Sequence, residues 1–106
     1  MIGQVSVAAA TAVVGYDLFR DQTWRVSARS RRLRGLAVAG SAAAGDTAVD
    51  LYVDQHWVGR FYNLATGWPT MDHMVPLKGN YVPPGATVAC IVADAPLTNP
   101  INIILE

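Results

Sequence analysis

Few side chains in this chain of 106 residues could do chemistry, and their types and spacing limit what that chemistry could be. His56 and His73 are the only histidines, and Cys90 is the only cysteine. Asp72 and His73 share a loop with Trp68, and together they offer half of a metal site or half of a catalytic dyad. A zinc site takes three or four ligands. A dyad needs a nucleophile and an orienting group brought within reach. The inventory is too thin for either, so His73 reads as a loop histidine and His56 as a turn residue. Cys90 lies in the apolar run Val88 to Val92 without the cationic or helix-N-terminal neighbour that makes a thiolate. It reads as a small buried hydrophobe. One cysteine cannot form an intramolecular disulfide and implies no oxidising compartment. No catalytic residue, metal or cofactor is expected.

Two other groupings could bind rather than react. Arg25, Arg29, Arg31, Arg32 and Arg34 fall within ten residues, RVSARSRRLR. Such a cluster could neutralise phosphates, with binding that weakens steeply with salt. It could equally be a solvated edge or an ion-pair surface between subunits, with Asp17, Asp21, Asp46, Asp50 and Asp54 as partners. Zero net charge and the lack of interleaved aromatics favour the second reading. Trp57, Tyr62 and Trp68 could instead form a platform for a sugar. In that reading Trp68 and Tyr62 stack, and Asp72 or Asn63 accepts from hydroxyls, because Trp57 is predicted to face inward. Aromatics also fill sandwich cores and protein interfaces.

The stretch that must position these groups is Thr47 to Asn63, TAVDLYVDQHWVGRFYN. Val49, Leu51, Val53, Trp57, Gly59 and Phe61 fall on one face at a period of two, the period of a half-buried strand. A turn at Asp54-Gln55-His56 folds it into a hairpin with Val53 opposite Trp57 and Asp50 opposite Arg60, a cross-strand charge pair. Before it, Gln4 to Val14 reads as one strand, and Trp24, Val26 and Ala28 as a second with a solvated face. Leu33 to Ala43 reads as a buried strand whose small residues suit close approach by another sheet or subunit.

After the hairpin, Leu64 to Asp72 is a loop broken by Gly67 and Pro69. Met74, Val75 and Leu77 form a short strand placed at an edge by Pro76. Val82-Pro83-Pro84-Gly85 is a turn. Ala86 to Ala93 reads as a strand buried on both faces, and Ile101, Ile103 and Leu105 as the last strand. That gives about eight short strands and no helix, the rhythm of an all-β sandwich or barrel. Eight strands suit an antiparallel β-sandwich of jelly-roll type, with residues 1–106 as a single domain.

Composition points outward from the fold. Apolar residues make up 52% of the chain and charged residues 15%, against about 25% charged in an ordinary soluble domain. A neutral, weakly charged surface tends to associate. The apolar run Val5 to Val14 alternates and is too short to cross a bilayer, and no charged leader precedes it. Membrane insertion is not expected.

The segment VPLKGNYVPPGATVACIVADAPLTNPINIILE resembles the last strands of small viral β-sandwiches. There a Pro-Gly turn (Pro83, Pro84, Gly85) feeds a long buried strand, and a loop with Pro96, Asn99 and Pro100 leads to an aliphatic terminal strand. With LYVDQHWVGRFYN, the chain is similar in style to single-jelly-roll capsid, decoration or cement proteins of viruses and phages. The resemblance lies in strand rhythm and turns, so it carries over no functional residue. It implies a structural protein that assembles with itself or a capsid-like partner, located in a virion or otherwise in the cytoplasm. The expected contacts are the Arg25 to Arg34 edge, the loop with Trp68, Pro69 and Met71, and the hairpin side at Tyr52 and Tyr62. A weak nucleic-acid contact through the arginines is the further partner expectation, and a sugar-binding module using Trp68, Tyr62 and Asp72 is the alternative function.

Overall fold

The computed structural model describes residues 2–69, 74–96 and 99–106. Among them the chain is all-β, with seven strands and one 3-10 turn at Thr23–Arg25. The strands are β1 Gly3–Val7, β2 Arg31–Gly40, β3 Ala48–Val53, β4 His56–Tyr62, β5 Val75–Val82, β6 Val88–Asp94 and β7 Ile101–Leu105. They form two antiparallel sheets, ordered β1-β7-β2-β5 and β4-β3-β6. The pairings nest around one tip. β3 pairs with β4, β2 with β5, the segment before β2 bridges to β6, and β1 pairs with β7. One buried cluster draws on both sheets: Leu33, Leu36, Ile103 and Leu105 from the first, Val49, Leu51, Val88 and Val92 from the second.

Two of the expected strands take other forms. The first stops at Val7, where its partner β7 begins at Ile101. Beyond it the Ala8 carbonyl accepts from the amides of Thr11 (3.0 Å) and Ala12 (2.9 Å), and the alanine run turns. The segment around Trp24 is not a strand either. Its ring meets Phe19 edge-on at 4.7 Å and lies over Gly3, where a Cβ would sit 2.2 Å from the indole. Packing an indole over a glycine competes with extending the chain, and packing prevails. The segment still lines the outer edge of β6. Gly15 N donates to Val92 O (2.9 Å), Val92 N to Tyr16 O (3.0 Å) and Leu18 N to Cys90 O (2.7 Å), and Val26 bridges Thr87. Among the described residues seven strands therefore stand where eight were expected.

The other departures have local causes. β6 is buried at Val88, Cys90 and Val92 but half-exposed between them, because it ends its sheet and is covered on one face only. β2 ends at Gly40, whose φ of +108° and 2.0 Å approach from a would-be Cβ to the Pro100 carbonyl exclude any other residue type. Ala37 and Ala39 are fully buried opposite Ile104 and Asn102. The Asn102 amide donates to the Gly67 carbonyl (2.8 Å), so the chain's own loop makes the close approach that these small residues permit. β5 does lie at a sheet edge, as Pro76 requires.

In the hairpin, Asp50 faces Arg60 as expected, but Val53 faces His56 and Tyr52 faces Trp57. Between Leu51·Gly59 and Tyr52·Trp57 the ladder steps by two residues on β4 and one on β3, which leaves Val58 as a bulge. The turn needs no glycine because Asp54 takes a φ of +53°, a conformation that short polar side chains tolerate. Asp54 N donates to Thr87 O (2.7 Å) and Thr87 N returns a bond to Asp54 Oδ1 (2.9 Å), which anchors the tip to the start of β6.

At the other end of the hairpin Asn63 is 1% exposed and ties three segments together. Its Nδ2 donates to Gly40 O (2.9 Å) and Ala43 O (2.7 Å), and its Oδ1 accepts from Thr47 N (3.0 Å). Replacing it removes the side-chain partner of the Gly40 carbonyl and of the Thr47 amide in a buried site, while the Ala43 carbonyl keeps the Asp46 amide (3.3 Å). Asn63→Ala should cost about 3 kcal/mol in denaturant unfolding, since each buried unsatisfied group costs about 1–3 kcal/mol. Asn63→Asp should cost at least as much near neutral pH, because a carboxylate oxygen would then face two carbonyl oxygens. Unchanged unfolding midpoints for both variants would mean that this side chain holds nothing.

Candidate functional site

The five arginines do not form one patch. Arg31 is half-buried, and its guanidinium donates to the carbonyls of Trp24 and of Arg25, the latter at 3.2 Å. Burial lowers its pKa from the ordinary value, although a guanidinium in a protein stays charged. Arg25 Nη1 donates to Arg20 O (2.7 Å). Arg32 stacks on the Tyr81 ring, 5.5 Å from its centroid, as its cross-strand neighbour. Arg29 and Arg34 are exposed. Two of the five thus hold their own chain together and a third is engaged with an aromatic ring.

The aromatics divide differently from the expectation. Trp57 was expected inside and is 60% exposed. The Val58 bulge reverses the alternation, so Trp57 shares the outer face with Tyr52 while Gly59 keeps the inner one under the Phe61 ring. The outer face of the three-stranded sheet therefore carries Trp57, Arg60 and Tyr62 on β4, Asp50 and Tyr52 on β3, and Ala89 and Ile91 on β6. Arg60 and Asp50 neutralise each other there: Arg60 Nε and Nη2 meet the Asp50 carboxylate at 2.9 and 3.1 Å. The Arg60 hydrogen bond holds the Asp50 carboxyl below its usual range against the opposing effect of burial, and a bond from the Trp57 side chain adds to it.

Trp68 and Tyr62 are half-exposed, but the sugar-acceptor role considered for Asn63 is overturned. Its side chain is buried, with every described bond directed to backbone. Met71, Asp72 and His73 lie outside the described residues. Among the described residues no three of His, Cys, Asp and Glu come together as metal ligands. Among the described residues no helix is long and apolar enough to cross a membrane.

A feature that the alternation pattern hides lies at the hairpin tip. Val53, Asp54, His56, Trp57, Tyr81 and Pro83 line a groove of about 400 Å³. Tyr81 is 52% exposed and comes from the other sheet. The one local signal for it is the adjacent pair Trp57-Val58, two large apolar residues where a strict strand alternates.

No family model, no curated protein and no solved structure matches the chain.

Two outcomes follow from the electrostatics. Cys90 is fully buried, and burial first, then the charges of Asp17 and Asp50, push its thiol well up. It stays protonated at neutral pH, so Ellman's reagent should label it only after unfolding in guanidinium; prompt native labelling would contradict this burial. Asp50 is depressed, so its pairing stabilises the fold above the unfolded carboxyl value of about 3.9 and is lost as pH falls through and below it. The melting-temperature gap between wild type and Asp50→Asn should be present at pH 6 and close at acid pH, and it should be small because the Arg60 side chain is half-exposed.

Proposed function

We propose that this chain is a structural assembly protein of jelly-roll type, acting through protein–protein contacts as a capsid, decoration or cement component of a virion. The observation that carries the reading is the outer face of the three-stranded sheet. It sets Tyr52, Trp57, Tyr62 and Ile91 around one self-neutralised ion pair. Aromatic residues with few net charges are the composition of interface centres. A chain of zero net charge also has no self-repulsion to oppose close packing.

The strand order supports the jelly-roll reading. A jelly roll is a long antiparallel ribbon folded over on itself, so its pairs nest outward from a single tip. β3·β4, β2·β5, the 15–26 segment with β6, and β1·β7 nest in that order around Asp54. Residues 15–26 take the place of the eighth strand, held to β6 by bridges rather than by a ladder.

Light-scattering chromatography of the purified protein tests the reading. It should run as an oligomer, and Tyr52→Lys with Tyr62→Lys should shift it toward monomer while leaving the melting temperature within a few degrees. A monomer at all concentrations, with no affinity for any particle, would remove the assembly role.

A further inference from the structure

The geometry points to a saccharide-binding site in the groove at the hairpin tip, with the ligand's flat face against Trp57 and Tyr81 and its hydroxyls donating to Asp54. This inference does not rest on the assembly reading, although the two surfaces share Trp57, which lies on the outer sheet face and lines the groove.

Tyr81 carries the Arg32 guanidinium over its ring, and Arg32 is not among the groove's lining residues. A ring held in place before a ligand arrives loses little freedom on binding. Trp57 and Tyr81 each leave more than half of their surface to solvent, 60% and 52%. The groove, at about 400 Å³, falls within the span of small-ligand sites, roughly 300–1,000 Å³.

The polar groups that remain available select the ligand class. Asp54 Oδ1 is engaged by Thr87 N, and its second carboxylate oxygen has no partner among the described residues. That oxygen is an acceptor that asks for donors. A polyanion is disfavoured, because Asp54 is the one formally charged side chain lining the groove at neutral pH. A proline-rich peptide presents carbonyl acceptors and lacks N–H groups at its prolines, so it leaves that oxygen unmet. A neutral sugar brings an apolar face for the rings and hydroxyl donors for the carboxylate. His56, exposed on the rim, supplies a further polar contact.

Saturation-transfer NMR on the full chain would test this with glucose, galactose and N-acetylglucosamine and with cellobiose, lactose and chitobiose, followed by calorimetry on the best ligand. At least one saccharide should bind. Trp57→Ala and Tyr81→Ala should each weaken it by about tenfold or more, which corresponds to removing one ring contact. Asp54→Asn, which keeps the turn and the Thr87 bond, should also weaken it, and Trp68→Ala should not. Circular dichroism would show that the variants are folded. No binding across the panel would overturn the site. So would binding lost only with Trp68→Ala, or a decaproline peptide that binds where no sugar does.

Discussion

The Val58 bulge is the constraint on which the outer surface depends. Side chains of a strand alternate, so one extra residue in the ladder exchanges the two faces for everything beyond it. Between Leu51·Gly59 and Tyr52·Trp57 the register moves by one, and the indole leaves the core side. Had the ladder continued in phase, Trp57 would have entered a core already filled by Leu51, Val53 and Val88, at the cost of overpacking. The bulge instead sends it outward, beside Tyr52 and next to the tip groove. It also lets Val58 pack partly against the core. The aromatic face and the groove are consequences of one backbone irregularity.

A second constraint is the management of sheet edges, which otherwise present unpaired backbone to any passing strand. β6 is covered by the irregular 15–18 backbone, and β5 carries Pro76. β1 is only five residues long. β4 is seven residues long, contains no proline, and makes no backbone hydrogen bond beyond its own hairpin and the Asn63 junction among the described residues. Its exposure adjoins the aromatic outer face, so the least guarded edge and that face are continuous.

Much of this was legible in the sequence, and the rest was not for identifiable reasons. The Asp50–Arg60 pair, the edge position imposed by Pro76, the Pro83-Pro84-Gly85 turn and the terminal Ile101, Ile103, Leu105 face all follow from short-range rules, and all appear. What failed depended on long-range partners. Gln4 to Val14 has strand composition throughout, yet its ladder lasts only as long as β7 does. Trp24 alternates with its neighbours like a strand residue, yet the missing side chain at Gly3, far away in sequence, offers its ring a better seat. Asn63 looks like a loop amide available to a ligand until the carbonyls of Gly40 and Ala43 are brought to it. The groove joins Trp57 to Tyr81 across two sheets, which no local pattern could announce.

The arginine cluster has its own physical logic. A segment without a ladder partner still has carbonyls to satisfy once it is packed against the fold. Residues 20–25 are such a segment, and the donors come from side chains. Arg25 serves the Arg20 carbonyl, and Arg31 serves those of Trp24 and Arg25. A guanidinium offers five donors in a planar fork, enough to bridge consecutive carbonyls. Lysine would offer the charge without that geometry. On this view an arginine stands at position 31 because residues 20–25 lack regular pairing. A positive stripe in the sequence thereby becomes, in three dimensions, a support for the irregular edge of β6. Drawing Arg31 onto a phosphate would strip those carbonyls of their partners, so a polyanion bound here would have to rely on the exposed Arg29 and Arg34 instead.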